Sequence, residues 1–384
     1  MTGRQATGGQ ACSVSCSAGE PMRSWPLRTC LTPLSWVYGA AMRLRAGGYR
    51  AGLFARHALP CRVISIGNVT VGGTGKTPVA IFVASRLIEQ GSRVGILSRG
   101  YRRSGSQVMA LVSDGRRTLL GPDEGGDEPY LMARRCPQAV VAVGADRARL
   151  GGWVLNQFPL DVLVLDDGFQ HLSLDRDVNL LLLDAGAPES LDHLLPAGRL
   201  REPLTAASRA SAIVVTRAET PQGTAALLTR LARARVPARP TIQLRFFHEA
   251  LTDLQGGAVT AIDGIRGARV VTGCGIADPR AFRRDVDRLH VTVVDEVTWP
   301  DHHRYSLRDV ERLMDVVRCA QADYVLTTEK DAVKLARLAP GHDVERLCRA
   351  VRLGIEVMAG RAELDRLLRV PRTGAQRDDP ASRP

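Results

Sequence analysis

From residue 62 onward the chain alternates short apolar, β-branched runs with longer stretches of helical period. The runs at 62–67, 93–97, 139–143, 161–165, 178–183 and 212–216 predict strands. So do 270–273, 291–294, 324–328 and 353–357. Short strands that are apolar throughout and separated by helices belong in a parallel sheet covered on both faces. There are more of them than one compact domain of this kind holds, which predicts two. The stretch 217–267 carries Pro221, Pro237 and Pro240 and one extended run, 241–247. It is the expected connection. No internal repeat is visible.

The N-terminal part follows a different pattern. Residues 1 to about 22 are rich in small polar residues and read as a disordered tail, as does the polar stretch 371–384. Leu34, Val37, Tyr38, Ala41 and Leu44 then fall at helical spacing, with Trp36 beside them and Gly47-Gly48 as the expected break. Arg43, Arg45 and Arg50 flank the stripe, and no acid occurs between Glu20 and Glu89. A basic amphipathic helix of this kind suits a membrane surface. The same stripe also suits a helix packed on the next domain with its arginines solvated.

Composition narrows the classes. The 384 residues are 45% hydrophobic and 24% charged, which excludes a mostly disordered chain and a disulfide miniprotein. No apolar run approaches the roughly 18 residues of a membrane-spanning helix. No secretory signal is evident. The eight cysteines form no CxxC pair, so structural zinc is not expected and reduced cytosolic thiols are. The net charge of +12 points to an anionic partner. Of the 52 basic residues only Lys76, Lys330 and Lys334 are lysines. In a chain that otherwise uses arginine as its cation, those three invite a chemical reason.

The strongest local signal runs from Ile64 to Thr77: a strand, a glycine-rich turn, then Gly75-Lys76-Thr77 at the start of a helical stretch. This is the strand–loop–helix context of a phosphate loop. Gly72, Gly73 and Gly75 let backbone N–H groups converge on phosphate oxygens, and the helix N-terminus adds positive dipole. Lys76 can reach the β- and γ-phosphates, and Thr77 can ligate Mg²⁺. Thr70 stands where the general pattern has glycine. A second run, 162–165, ends in Asp166-Asp167, where either acid can hold Mg²⁺ directly or through water.

Three further clusters carry two readings each. Gly126-Asp127-Glu128-Pro129 is a helix cap or a carboxylate that takes a proton from an attacking hydroxyl. The turn 196–203, with Arg199, Arg201 and Glu202, is a surface turn or a phosphate clamp beside a metal-linked acid. Asp301-His302-His303 holds adjacent histidines that point apart, so one histidine paired to a carboxylate fits better than a metal site. Thr327-Thr-Glu-Lys-Asp331 is not the guanine-reading pattern, because Lys330 directly precedes Asp331.

Taken together, these segments resemble the tetraacyldisaccharide 4′-kinases, the lipid A 4′-kinases of Gram-negative bacteria. The resemblance rests on Gly67-Asn68 with the run Thr70 to Pro78, on Ser98-Arg-Gly-Tyr101 and on Gly126-Asp-Glu-Pro129. It continues through Asp166-Asp-Gly-Phe-Gln-His171, the 196–203 turn, Asp301-His302 and Thr327 to Asp331, covering roughly residues 30 to 365. Thr70 matches that family's own loop. The implied activity is transfer of the γ-phosphate of ATP to the 4′-hydroxyl of a tetraacylated glucosamine disaccharide 1-phosphate, an anionic lipid. The implied place is peripheral, on the cytoplasmic face of the inner membrane, with no nucleic-acid partner.

The implied fold is two α/β/α, P-loop NTPase-like domains with mainly parallel sheets, joined by a β-ribbon linker and preceded by an amphipathic helix. On this chain the expected divisions are a tail at 1–29, the membrane-surface helix at 30–60 and the kinase core at 61–220. The linker follows at 221–268, the second domain at 269–370 and a tail at 371–384. The resemblance further implies that Thr70, Val71, Gly72, Gly73, Thr74, Gly75, Lys76 and Thr77 bind nucleotide. Thr77, Asp166, Asp167 and Glu202 surround Mg²⁺, Asp127 is the base with His302 as its charge partner, and Asn68, Tyr101 and Arg201 contact substrate or phosphate. The rival enzyme reading is a P-loop amidoligase or cofactor-synthesis ATPase acting on a soluble acid, which needs no basic amphipathic N-terminus. A nucleotide switch lacks its guanine motif. A nucleic-acid binder is disfavoured by 4% aromatics and by the absence of a recognisable motif.

Overall fold

The computed structural model describes residues 25–257, 259–338 and 343–371. The stretches 1–24 and 372–384, read as tails, lie outside the described residues. The strands are β1 Arg62–Asn68, β2 Val94–Ser98, β3 Met109–Asp114, β4 Val140–Gly144, β5 Val162–Asp166, β6 Val178–Asp184 and β7 Ala212–Thr216. They continue as β8 Thr241–Thr252, β9 Val259–Thr260, β10 Arg269–Cys274, β11 Thr292–Thr298, β12 Tyr324–Thr328 and β13 Cys348–Ala359. One sheet passes through all of them in the order β11-β10-β12-β13-β8-β7-β6-β1-β5-β2-β4-β3, with β9 on β8. Its pairs are parallel except β3 on β4, β9 on β8 and β13 on β8. The edge strand β3 carries the apolar run 108–112, with Ala110, Val112 and Ser113 buried, and is not among the strands expected above.

The antiparallel pair β8 and β13 joins the two lobes. The start of β8 pairs with β7, and the start of β13 pairs with β12. Ile242 and Leu244 enter the first core with Ile64 and Val164, whereas Leu251 and Val351 enter the second with Val270 and Leu326. A ribbon whose two ends sit in different cores ties the lobes without closing them into one.

Two segments depart from the expected divisions. Helix Pro221–Arg233, inside the stretch read as linker, buries Leu227 and Leu231 against Val215 in the first lobe. Helix Arg361–Leu368, expected in the second domain, returns to the first core through Leu364, Leu367 and Leu368. Amphipathic spacing marks each as a helix but does not name the core it covers.

The N-terminal helix spans Trp25–Arg50, beginning inside the stretch read as tail and running through Gly47-Gly48 rather than breaking there. Gly48 has a packing reason: a Cβ on it would sit 2.4 Å from the Phe54 ring, which folds back over the helix. One face docks on the turn 194–201. Ser35 Oγ donates to the Leu194 carbonyl at 3.1 Å and accepts from Ala197 N–H at 3.1 Å. Tyr38 Oη donates to the Arg201 carbonyl at 2.7 Å. Tyr38 thereby turns toward the first lobe. Leu34, Trp36, Val37 and Leu44 remain outside, with Trp36 70% and Leu44 76% exposed. No helix among the described residues is long and apolar enough to cross a membrane.

Candidate active site in the cleft between the lobes

Parallel strands end at one edge of a sheet, and ligands bind there in open α/β folds. In the first lobe that edge gathers Asn68 at the end of β1, Ser98 at the end of β2 and Asp166 at the end of β5. The loop after β1 leads into helix Lys76–Glu89, whose Val79, Ala80, Val83, Ala84 and Leu87 bury one face beneath the sheet. Gly75, which caps that helix, has φ +79°, and a Cβ there would lie 2.4 Å from the Phe246 ring. Gly72 has φ +110° and lies beneath the Arg199 guanidinium. The turn 196–203 clamps the loop: Val71 N–H donates to the Arg199 carbonyl at 2.8 Å, and Arg201 N–H to the Val69 carbonyl at 2.7 Å. Asn68, expected to contact substrate, is instead fully buried. Its amide donates to Thr74 Oγ1 at 2.8 Å and Thr70 Oγ1 at 3.4 Å. Thr70 therefore holds the loop's shape where a general phosphate loop has glycine.

Asp166 and Asp167 differ in environment although adjacent. Asp166 is buried and accepts from Ser98 Oγ at 3.1 Å. Burial, then Glu128 and Asp167, push its carboxyl up to about 7. Asp167 sits in the left-handed region at φ +50°. Burial opposes its charge, but Lys76 at 3.9 Å and Arg201 at 2.9 Å outweigh that and hold it below the ordinary carboxylate value. One oxygen of each acid, Oδ1, is buried without a hydrogen bond, and that of Asp167 faces the Lys76 ammonium at 3.9 Å. Glu202 is not part of this arrangement. It is 3% exposed, Arg209 takes both its oxygens at 3.0 and 2.9 Å, and it does not line the cleft. Arg201 does line it.

The opposite wall is shared: the first lobe supplies Asp127, and the second supplies His302 and Lys330. Gly126 caps helix Asp127–Arg135, so Asp127 is its first residue rather than its cap. Asp127 Oδ2 lies 3.3 Å from His302 Nδ1, on the turn after β11, and 4.0 and 3.9 Å from Lys330 and Lys334 Nζ, after β12. Burial again works against the charge, but the His302 hydrogen bond and the lysines hold Asp127 below its ordinary value. His302, at φ +59°, is a second strained backbone position at this site. Tyr101 meets its ring edge-on at 5.3 Å. His303 faces away from Asp127 and pairs with Asp309 at 3.2 Å.

Tyr101, Asp127, His302 and Lys330 line one cleft of about 1280 Å³ together with Lys76, Thr77, Asp166, Asp167 and Arg201. This juxtaposition of a phosphate loop with a pair made of a first-lobe carboxylate and a second-lobe histidine accompanies a sequence-wide match. The family model described as tetraacyldisaccharide-1-P 4′-kinase matches residues 27–370. The chain belongs to this kinase family.

Relatives named tetraacyldisaccharide 4′-kinase include one from Desulfatibacillum aliphaticivorans, 41% identical over 302 residues, covering 79% of this chain and 82% of that one. Another, from Geobacter metallireducens, is 42% identical over 308 residues, covering 79% and 88%. A crystal structure of LpxK from Aquifex aeolicus in complex with ATP aligns with a TM-score of 0.71 at 31% identity, covering 89% of this chain and 98% of that one. For a member of this kinase family the sequence reading missed Ser98 as the partner of Asp166 and both distal lysines as neighbours of Asp127. The scarcity of lysine was the available signal, and all three lysines of the chain converge on this site.

Proposed function

We propose that this chain transfers the γ-phosphate of ATP to the 4′-hydroxyl of a tetraacylated glucosamine disaccharide 1-phosphate. The observation that carries the reading is Asp127, paired to His302 at 3.3 Å, in the same cleft as the phosphate loop. The hydroxyl oxygen attacks the γ-phosphorus, the bond to the bridging oxygen breaks, ADP leaves with that electron pair, and the hydroxyl proton passes to Asp127. A loose transition state needs only a late proton acceptor, which suits a carboxylate with a depressed pKa. Loop amides from Thr70 to Thr77 and the Lys76 ammonium hold the β- and γ-phosphates. Arg201, already on Asp167, is placed to meet phosphate charge. Tyr101 lines the acceptor side.

Thr77 with Asp166 and Asp167 would hold Mg²⁺, and the two buried carboxylate oxygens that make no hydrogen bond fit that role. When bound, the ion neutralises phosphate charge. Glu202 remains with Arg209. The outward apolar face of the N-terminal helix, with Leu34, Trp36, Val37 and Leu44, gives a lipid-acting enzyme a peripheral seat on the cytoplasmic leaflet of the inner membrane. A ligase acting on a soluble acid has no use for such a face. The test is to supply ATP, Mg²⁺ and the acylated disaccharide 1-phosphate and follow phosphate at the 4′ position. Failure of the lipid acceptor alongside turnover of a soluble acid would refute the proposal.

A further inference from the structure

Lys330 Nζ lies 3.2 Å from Glu128 Oε1, 3.3 Å from Asp301 Oδ1 and 3.2 Å from His302 Nε2. The carboxylates are ordinary partners. The imidazole contact carries more information, because an ammonium has three donors and no acceptor. At that distance Nε2 can meet it only as a bare lone pair. The single ring proton then sits on Nδ1, facing Asp127 Oδ2 at 3.3 Å. The remaining neighbours do not reverse this. Asp301 Oδ2 is 3.9 Å from Nε2, too far to accept its proton. Tyr101 offers its ring, and Lys334 is bound to Asp331 at 3.0 Å.

We propose that Lys330 is a positioning residue of the phosphoryl-transfer site: it fixes His302 as the Nδ1–H tautomer, so that the ring donates to Asp127 and leaves that carboxylate oriented toward the acceptor hydroxyl. The opposite tautomer would turn a nitrogen lone pair on the carboxylate and expel it. Burial works against the Lys330 charge, but Glu128, Asp127 and Asp301 outweigh it and raise its pKa, so the donor persists. Lys330 and His302 both stand at the strand ends of the second lobe, so the tautomer is set within that lobe. The inference rests on the reading of Asp127 as proton acceptor. It also accounts for lysine at this position in an arginine-rich chain. A compact ammonium serves two carboxylates and a ring nitrogen from one point with its three donors, which a planar guanidinium does not.

The experiment is long-range ¹H–¹⁵N imidazole spectroscopy on the full chain with ¹⁵N-labelled histidine, the eight histidines being resolved by His302→Gln. The wild type should show His302 as the Nδ1–H tautomer. Lys330→Met should lose that single-tautomer signature and about tenfold or more in kcat, part of the worth of a positioned base, with the KM for ATP unchanged. Lys330→Arg should recover part of both. Glu128→Gln removes the carboxylate partner across the cleft but spares the ring contact, and should keep the tautomer. A wild-type His302 carrying its proton on Nε2, or on both nitrogens, overturns the proposal without any variant having to fold. So does an unchanged tautomer in Lys330→Met. An inactive wild-type chain that still shows the Nδ1–H signature would instead sink the kinase reading and leave the tautomer assignment standing.

Discussion

Replacing Asp127 by Asn tests the catalytic pair most directly. In the native site Oδ1 accepts from Glu128 N–H at 3.1 Å, and Oδ2 faces His302 at 3.3 Å. Asparagine can keep the first contact. Its amide donors then point at His302, Lys330 and Lys334, where an acceptor is required. The lysines retain other partners, Glu128 and Asp301 for Lys330 and Asp331 for Lys334, so the fold loses only about 1–3 kcal/mol. The chemistry loses far more. A positioned base is worth roughly 10²–10⁴-fold, or about 3–5 kcal/mol of transition-state stabilisation. The assay compares kcat for 4′-phosphorylation with ATP affinity measured by calorimetry and with thermal stability. Nucleotide affinity should be unchanged while kcat falls by at least about a hundredfold. His302→Ala should lose part of the same factor, and the double variant should fall short of the product of the two single losses. A fully active Asp127→Asn enzyme, or independent multiplicative losses, would refute the pair. A helix-capping role for Asp127 predicts the fully active outcome, since asparagine caps as well as aspartate.

Four further outcomes are expected. Lys76→Ala should lower kcat by orders of magnitude, seen in the same phosphorylation assay. Gly75→Ala, at φ +79° with Phe246 2.4 Å from the new Cβ, should cost about 1–3 kcal/mol in denaturant unfolding and weaken ATP binding. Trp36→Ser with Leu44→Ser should reduce sedimentation with anionic vesicles, and equal binding would move the anchor elsewhere. At acid pH, burial opposes the Asp309 charge, but bonds from Ser306, His303 and Trp299 hold its carboxyl at about 2, against 3.8 ordinarily. A depressed folded pKa gives stability that is complete above 3.8 and lost as pH falls toward about 2. Asp309→Asn should therefore flatten the acid limb of stability in that window, read from unfolding midpoints against pH.

The phosphate loop was legible in the sequence because its chemistry is contiguous. Strand, glycine turn, Lys76, Thr77 and helix follow one another, and local backbone geometry alone brings amides, ammonium and hydroxyl to one point. The buried parallel strands were legible for the same reason, since each announces itself by its own apolar run. Their neighbours were not. A run at 353–357 predicts a strand but does not say that it lies within a ribbon strand of twelve residues paired antiparallel to β8. Nor does the spacing in helix Arg361–Leu368 say that its leucines return to the first core. Asn68 and Glu202 stood in the right motifs, yet packing turned one onto Thr70 and Thr74 and the other onto Arg209. Lys330 entered the site only because β11 and β12 end at the same sheet edge, bringing it to His302, and the ribbon carries that edge to Asp127. Sequence fixes what a residue can donate, accept or bury. Which partner it meets depends on contacts between segments far apart in the chain, and only the folded sheet settles those.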